Sequence, residues 1–169
     1  KYLSDGGYRT VSDRQFGSFL EGVKSALPAK TIALRIDQGA AHFDKFEEMI
    51  NILKANRLSA LVFVSTGEQF SNIHWQKLAN WQKEGVISLG SHSVTHPDFS
   101  KIDFNTALAE ATDSKRTIEK KLAEFGVKAE VISFAFPGDS VPDNIDFLKS
   151  AGYKFCLGGN LFGVKNNSA

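Results

Sequence analysis

Two histidines four residues apart, His92 and His96, are the most chemically suggestive pair in the chain. Imidazole suits a divalent transition metal such as zinc, and two converging rings need a third protein ligand. If the segment is helical, both rings share one face. Ser91, Ser93 and Thr95 supply short hydrogen-bonding groups able to orient them. The competing reading is a loop whose histidines bond backbone groups. Asp37 is the second candidate: it lies between an apolar run and Gln38-Gly39, where an unpaired charge would be costly. It is either a functional carboxylate or one that bonds the backbone of its own turn. Gly39 is expected to let the chain turn sharply there. The third cluster is Pro137-Gly138-Asp139, in which the Gly138 amide could donate to an oxyanion. Its plainer reading is an ordinary Pro-Gly turn.

These clusters matter because each follows an expected strand. Thr31 to Ile36, Ala60 to Val64, Val86 to Leu89, Val131 to Phe136 and Tyr153 to Leu157 are short, apolar and mostly β-branched or aromatic. Between them, helical spacing marks Phe43 to Ala55, Trp75 to Glu84, Asp103 to Phe125 and Asp143 to Ala151. Asp103 is the expected cap of the longest helix, and Gly85, Gly126 and Gly152 are stops. Upstream, Tyr8 to Thr10 reads as a short strand and Ser12 to Ser25 as a helix capped by Ser12. Such alternation predicts a parallel sheet with helices outside, whose chemistry collects at the carboxyl ends of the strands.

All 169 residues fit one domain. A net charge of +1, with basic residues scattered beside acids, gives no field for nucleic acid or an anionic membrane. No apolar run approaches the ~18 residues of a membrane span. Cys156 is the only cysteine, which excludes an internal disulfide and a cysteine-based metal cluster. Phe155 and Leu157 beside it predict a buried thiol. The chain shows no signal peptide and does not start with Met, so it is expected to be a piece of a longer protein.

The clusters together resemble the polysaccharide deacetylase family (nodulation-type chitooligosaccharide deacetylases, carbohydrate esterase family 4). The family's Phe-Asp-Asp-Gly motif is similar to Ile36-Asp37-Gln38-Gly39, and its His-Ser/Thr-x-x-His-Pro motif to His92-Ser93-Val94-Thr95-His96-Pro97. Ala135-Phe136-Pro137-Gly138 resembles an arginine-lacking form of its third motif, and Gly152-Tyr153 its Ala-Gly-Tyr segment. The lead-in Gly7 to Ser12 is similar as well.

The resemblance implies a distorted (β/α) barrel of about seven parallel strands with outer helices. It implies hydrolysis of N-acetyl groups on an N-acetylated polysaccharide or oligosaccharide outside the membrane, at an extracellular, periplasmic or cell-surface location. A divalent metal, often zinc, would be held by His92, His96 and the residue at position 38, with Asp37 as general base and Gly138 beside the oxyanion. The chain departs from the family where Gln38 replaces a ligand aspartate and Ala135 an arginine that orients the base. A neutral amide holds a divalent ion more weakly than a carboxylate does. Three outcomes stay open: the ion binds through Gln38, Asp37 becomes a ligand, or the site is empty and the domain is an inactive glycan binder. In that last case Trp75, Trp81 and Phe136 are candidates to stack on sugars, although helical aromatics are more often core. A last motif carrying a histidine as general acid is not visible before Ala169, so an incomplete barrel is expected.

Overall fold

Strands and helices alternate along the computed structural model, which describes residues 1–23 and 26–158. Strands β3 (Arg35–Gln38), β4 (Ala60–Val64), β5 (Ile87–Ser91), β6 (Ser133–Ala135) and β7 (Phe155–Leu157) form one parallel sheet in that order. A second parallel pair joins β1 (Arg9–Thr10) to β2 (Thr31–Ile32). Helices α1 (Tyr2–Asp5), α2 (Asp13–Leu20), α3 (Phe43–Ala55), α4 (Asn72–Lys83), α5 (Phe104–Glu124) and α6 (Asp146–Ser150) complete the described elements. The result is a distorted, incomplete barrel. Among the described residues no helix is long and apolar enough to cross a membrane.

The sheet is apolar on the face that meets the helices and mixed on the other, where Arg35 and Asp37 stand in register with Leu61 and Phe63. Val62, Val64, Ile87 and Leu89 face the helices and pack with Phe46, Ile50, Leu78 and Ile118. Burying one such side chain contributes about 1.5–3 kcal/mol. On the other face Leu61, Phe63 and Ala135 pack with Phe16 of α2 and Leu157. Helix α2 therefore plugs the concave side. Gly90 of β5 makes room there: an added Cβ would lie 2.5 Å from the Phe63 ring and 2.6 Å from the Ser133 hydroxyl.

The expected Thr31-to-Ile36 strand is in fact two strands. Thr31–Ile32 pairs with β1, and pairing with β4 begins only at Arg35 and runs through Gln38. Asp37 and Gln38 are thus the last residues of β3 rather than the turn after it. Helix α4 starts three residues earlier than expected, because Ser71 and His74 form a reciprocal capping box. Helix α5 is capped by Asp103, whose carboxylate accepts from the Asn105 and Thr106 amides. Helix α2 ends at Leu20, and Ser25 of the expected Ser12-to-Ser25 helix lies outside the described residues. Trp75, Trp81 and Phe136 are 4%, 7% and 0% exposed, so they are core and not sugar platforms. Cys156 is only partly buried, at the sheet's β7 edge.

Candidate active site

Arg35 and Asp37 lie two apart on β3 and so share a face. The Arg35 guanidinium forks across the carboxylate: Nε donates to Asp37 Oδ1 at 2.8 Å and Nη2 to Oδ2 at 2.7 Å. Its third nitrogen, Nη1, donates to Asp139 Oδ1 at 2.7 Å. The charge that would have been costly if unpaired is therefore doubly matched. Partial burial opposes the Arg35 charge, but the bonds to Asp37 and Asp139 outweigh it and raise its pKa.

His92 follows β5 and is 3% exposed. Its Nδ1 lies 2.8 Å from the Ala135 carbonyl. A carbonyl only accepts, so Nδ1 carries the proton and Nε2 keeps its lone pair. That Nε2 sits 3.8 Å from Asp37 Oδ2. Burial lowers the His92 pKa, against the pull of Asp37 and the Ala135 carbonyl, and favours the neutral ring. His96 is exposed at the rim, its ring centroid 4.9 Å from that of His92 and nearly perpendicular to it.

The histidines converge through a loop, not a helix. Ser93 and His96 both take positive φ, 70° and 59°, where L-residues are rare. The two serines expected to orient the rings hold the loop backbone instead, and the Thr95 hydroxyl bonds Glu110. Ser93 Oγ accepts the His96 N–H at 3.0 Å, and Ser91 Oγ accepts that of Ser93 at 3.2 Å. Glu110 of α5 takes the Val94 and Thr95 amides at 2.8 and 2.9 Å and the Thr95 hydroxyl at 2.7 Å. Sequence reasoning missed Glu110 and Arg35. Glu110 carries no local signal, whereas Arg35 is visible as a charge interrupting an apolar run.

Gln38 pairs in register with Val64 and so faces the other way from Asp37. Its Nε2 donates to the Gly39 carbonyl at 2.5 Å and the Ala41 carbonyl at 3.3 Å, leaving Oε1 as its remaining ligand atom. Gly39 does not take a positive φ, and the nearest atoms to where its Cβ would lie belong to the flexible Glu68 carboxylate. Gly138 and Asp139 take φ of 58° and 54°. The amides of Asp139 and Ser140 bond the Phe136 and Pro137 carbonyls, each at 3.1 Å. Among the described residues the Gly138 N–H has no backbone partner, which leaves it free to donate. His42 caps α3 without a side-chain bond, and His74 stacks on Phe43 at 4.1 Å; neither joins this group.

Among the described residues no three His, Cys, Asp or Glu side chains cluster closely enough to hold an ion. The two imidazoles are the metal-type donors that lie together, whereas the Gln38 side chain, on the opposite face of β3 from Asp37, bonds only the Gly39 and Ala41 carbonyls among the described residues.

Residues 24–156 match the family model described as polysaccharide deacetylase. Among curated proteins none matches the chain. The fold resembles a Streptococcus pyogenes deacetylase solved with acetate, at TM-score 0.78 and 22% identity, over 94% of this chain and 68% of that one. It also resembles a de-N-acetylase from Aggregatibacter actinomycetemcomitans, at TM-score 0.73 and 18% identity, over 95% and 75%. A carbohydrate esterase family 4 pseudoenzyme from Bacillus anthracis matches at TM-score 0.61 and 19% identity, over 74% of this chain and 42% of that one. At these identities the likeness is one of fold.

Proposed function

Since this chain belongs to the polysaccharide deacetylase family, we propose that it removes N-acetyl groups from an N-acetylated polysaccharide or oligosaccharide outside the membrane. The observation that carries this reading is the 3.8 Å approach of Asp37 Oδ2 to His92 Nε2 at the carboxyl rim of the sheet. His92 and His96 would hold a divalent ion, zinc first; Gln38, the third donor that the resemblance implies, would have to turn from the face opposite Asp37 to join them. The chemistry such an ion supplies is polarisation of a carbonyl and acidification of water. Asp37, oriented by Arg35, takes the proton of the attacking water as general base and returns it to the amine nitrogen as the C–N bond breaks and acetate leaves. The free Gly138 N–H donates to the oxygen that becomes negative. Burial favours the neutral His92 ring, and with Nδ1 donating to the Ala135 carbonyl its Nε2 keeps the lone pair that a ligand needs.

The test is acetate release from N-acetylchitooligosaccharides with zinc supplied. Wild type is expected to release acetate and Asp37→Asn to lose the activity. Release from small acetamides alone would replace the glycan reading with that of a small-molecule amidohydrolase on the same fold.

Gln38 favours a second reading, a glycan-binding pseudoenzyme, because its amide nitrogen is committed to the Gly39 and Ala41 carbonyls and its oxygen carries no charge. Purified protein that holds no zinc, together with a Gln38→Asp variant that gains both zinc and acetate release, would establish it.

A further inference from the structure

The geometry points to Arg35 as the positioning residue of this site: one guanidinium sets the direction of the Asp37 carboxylate and fixes the turn that presents Gly138. Its effect on rate rests on the deacetylase reading; its structural content does not.

A strand-end aspartate can rotate about two side-chain bonds. The fork from Nε and Nη2 onto both oxygens removes that freedom, since a planar guanidinium and a planar carboxylate match along a single edge. Their placement two apart on one face of β3 makes the pairing a property of the strand. Each carboxylate oxygen has two lone-pair directions. Arg35 takes one from each, and Oδ2 remains open towards His92, where an attacking water would sit.

The third nitrogen extends this control across the sheet. Asp139 sits beyond β6 at φ 54°, a conformation that needs support in a residue with a Cβ. Its amide is tied to Phe136 and its carboxylate to Arg35 Nη1. Gly138 lies between those anchors, so the direction of its free N–H follows from the Arg35 bond. No other cation does this: among the described residues Arg35 is the one Lys or Arg paired with Asp37 or Asp139. The guanidinium lies 6.0 Å from the Phe63 ring, and its side chain is only 26% exposed. It is not a freely hydrated surface bridge, which would hold little.

Two measurements on the same protein decide the matter. The first is arginine side-chain NMR on 15N-labelled wild type and Asp139→Asn. Wild type should show a slowly exchanging Arg35 Nε–H with resolved, non-rotating Nη groups, and Asp139→Asn should free the Nη1 end while Nε stays protected. An Arg35 guanidinium that rotates freely in wild type would overturn the proposal. The second is kinetics. Arg35→Lys keeps the charge but cannot fork, and should lower kcat about 100-fold with KM within about twofold and the melting temperature unchanged. In Arg35→Ala, added guanidinium ion should restore part of kcat, which a purely structural role would not allow. Full kcat in Arg35→Lys would also overturn the proposal. A wild type that binds zinc yet releases no acetate would remove the deacetylase reading, and the NMR result alone would then decide on the positioning role.

Discussion

Asp37 is the next-to-last residue of β3 and His92 follows β5, yet their side chains meet 3.8 Å apart, reaching over the intervening β4. Beneath them the Phe63 ring of β4 fills the space that Gly90 leaves empty. Gly90→Ala should therefore disturb the floor of the site. With the new Cβ 2.5 Å from that ring, overpacking is expected to cost about 1–3 kcal/mol. Thermal unfolding of the variant checks this, and an unchanged melting temperature would refute it.

The loop bearing the histidines is held from α5. Glu110 accepts three hydrogen bonds from Val94 and Thr95. Glu110→Ala is predicted to lower stability by about 1.5–3 kcal/mol. It should also speed hydrogen exchange at the Val94 and Thr95 amides while α5 amides stay protected.

The same loop is anchored downstream by Phe99, which is fully buried, stacked on Phe147 and edge-on to Phe134 and Phe136. Phe99→Ala should cost about 3–5 kcal/mol in denaturant unfolding. Phe99→Leu, which refills most of the volume, should cost clearly less.

Burial pushes the Cys156 thiol up to about 11, against an ordinary value near 9. The unfolded chain therefore loses this proton first. The stability it contributes is complete below pH 9 and is lost as pH rises through about 11. Comparing wild type with Cys156→Ala across that window should show wild type falling relative to the variant. Native-state alkylation should stay slow until the same range.

Much of the frame was legible because its apolar residues repeat with the periods of helix and strand. Phe43 to Ala55 and Ala60 to Val64 have the expected bounds, with continuous apolar contact on the sides that pack. Strand β3 is hard to read from sequence because it is Arg35-Ile36-Asp37-Gln38, three of whose four residues are polar, so hydropathy carries no signal there. The start of α4 was missed because His74 stands where a capping box usually has Glu or Gln. Asp37 and the histidine pair stood out by type and spacing. Their orienting partners did not: Arg35 reads as an interruption, Asp139 lies far along the chain, and the Ala135 group that holds His92 is a backbone carbonyl.

An anomalous-scattering map from crystals grown with zinc tests the shared site most directly. A single peak about 2.0–2.1 Å from a ring nitrogen of both His92 and His96, beside Asp37, is the expected result. No peak at the pair despite saturating zinc, or a peak bound elsewhere with the two rings turned apart, would contradict it.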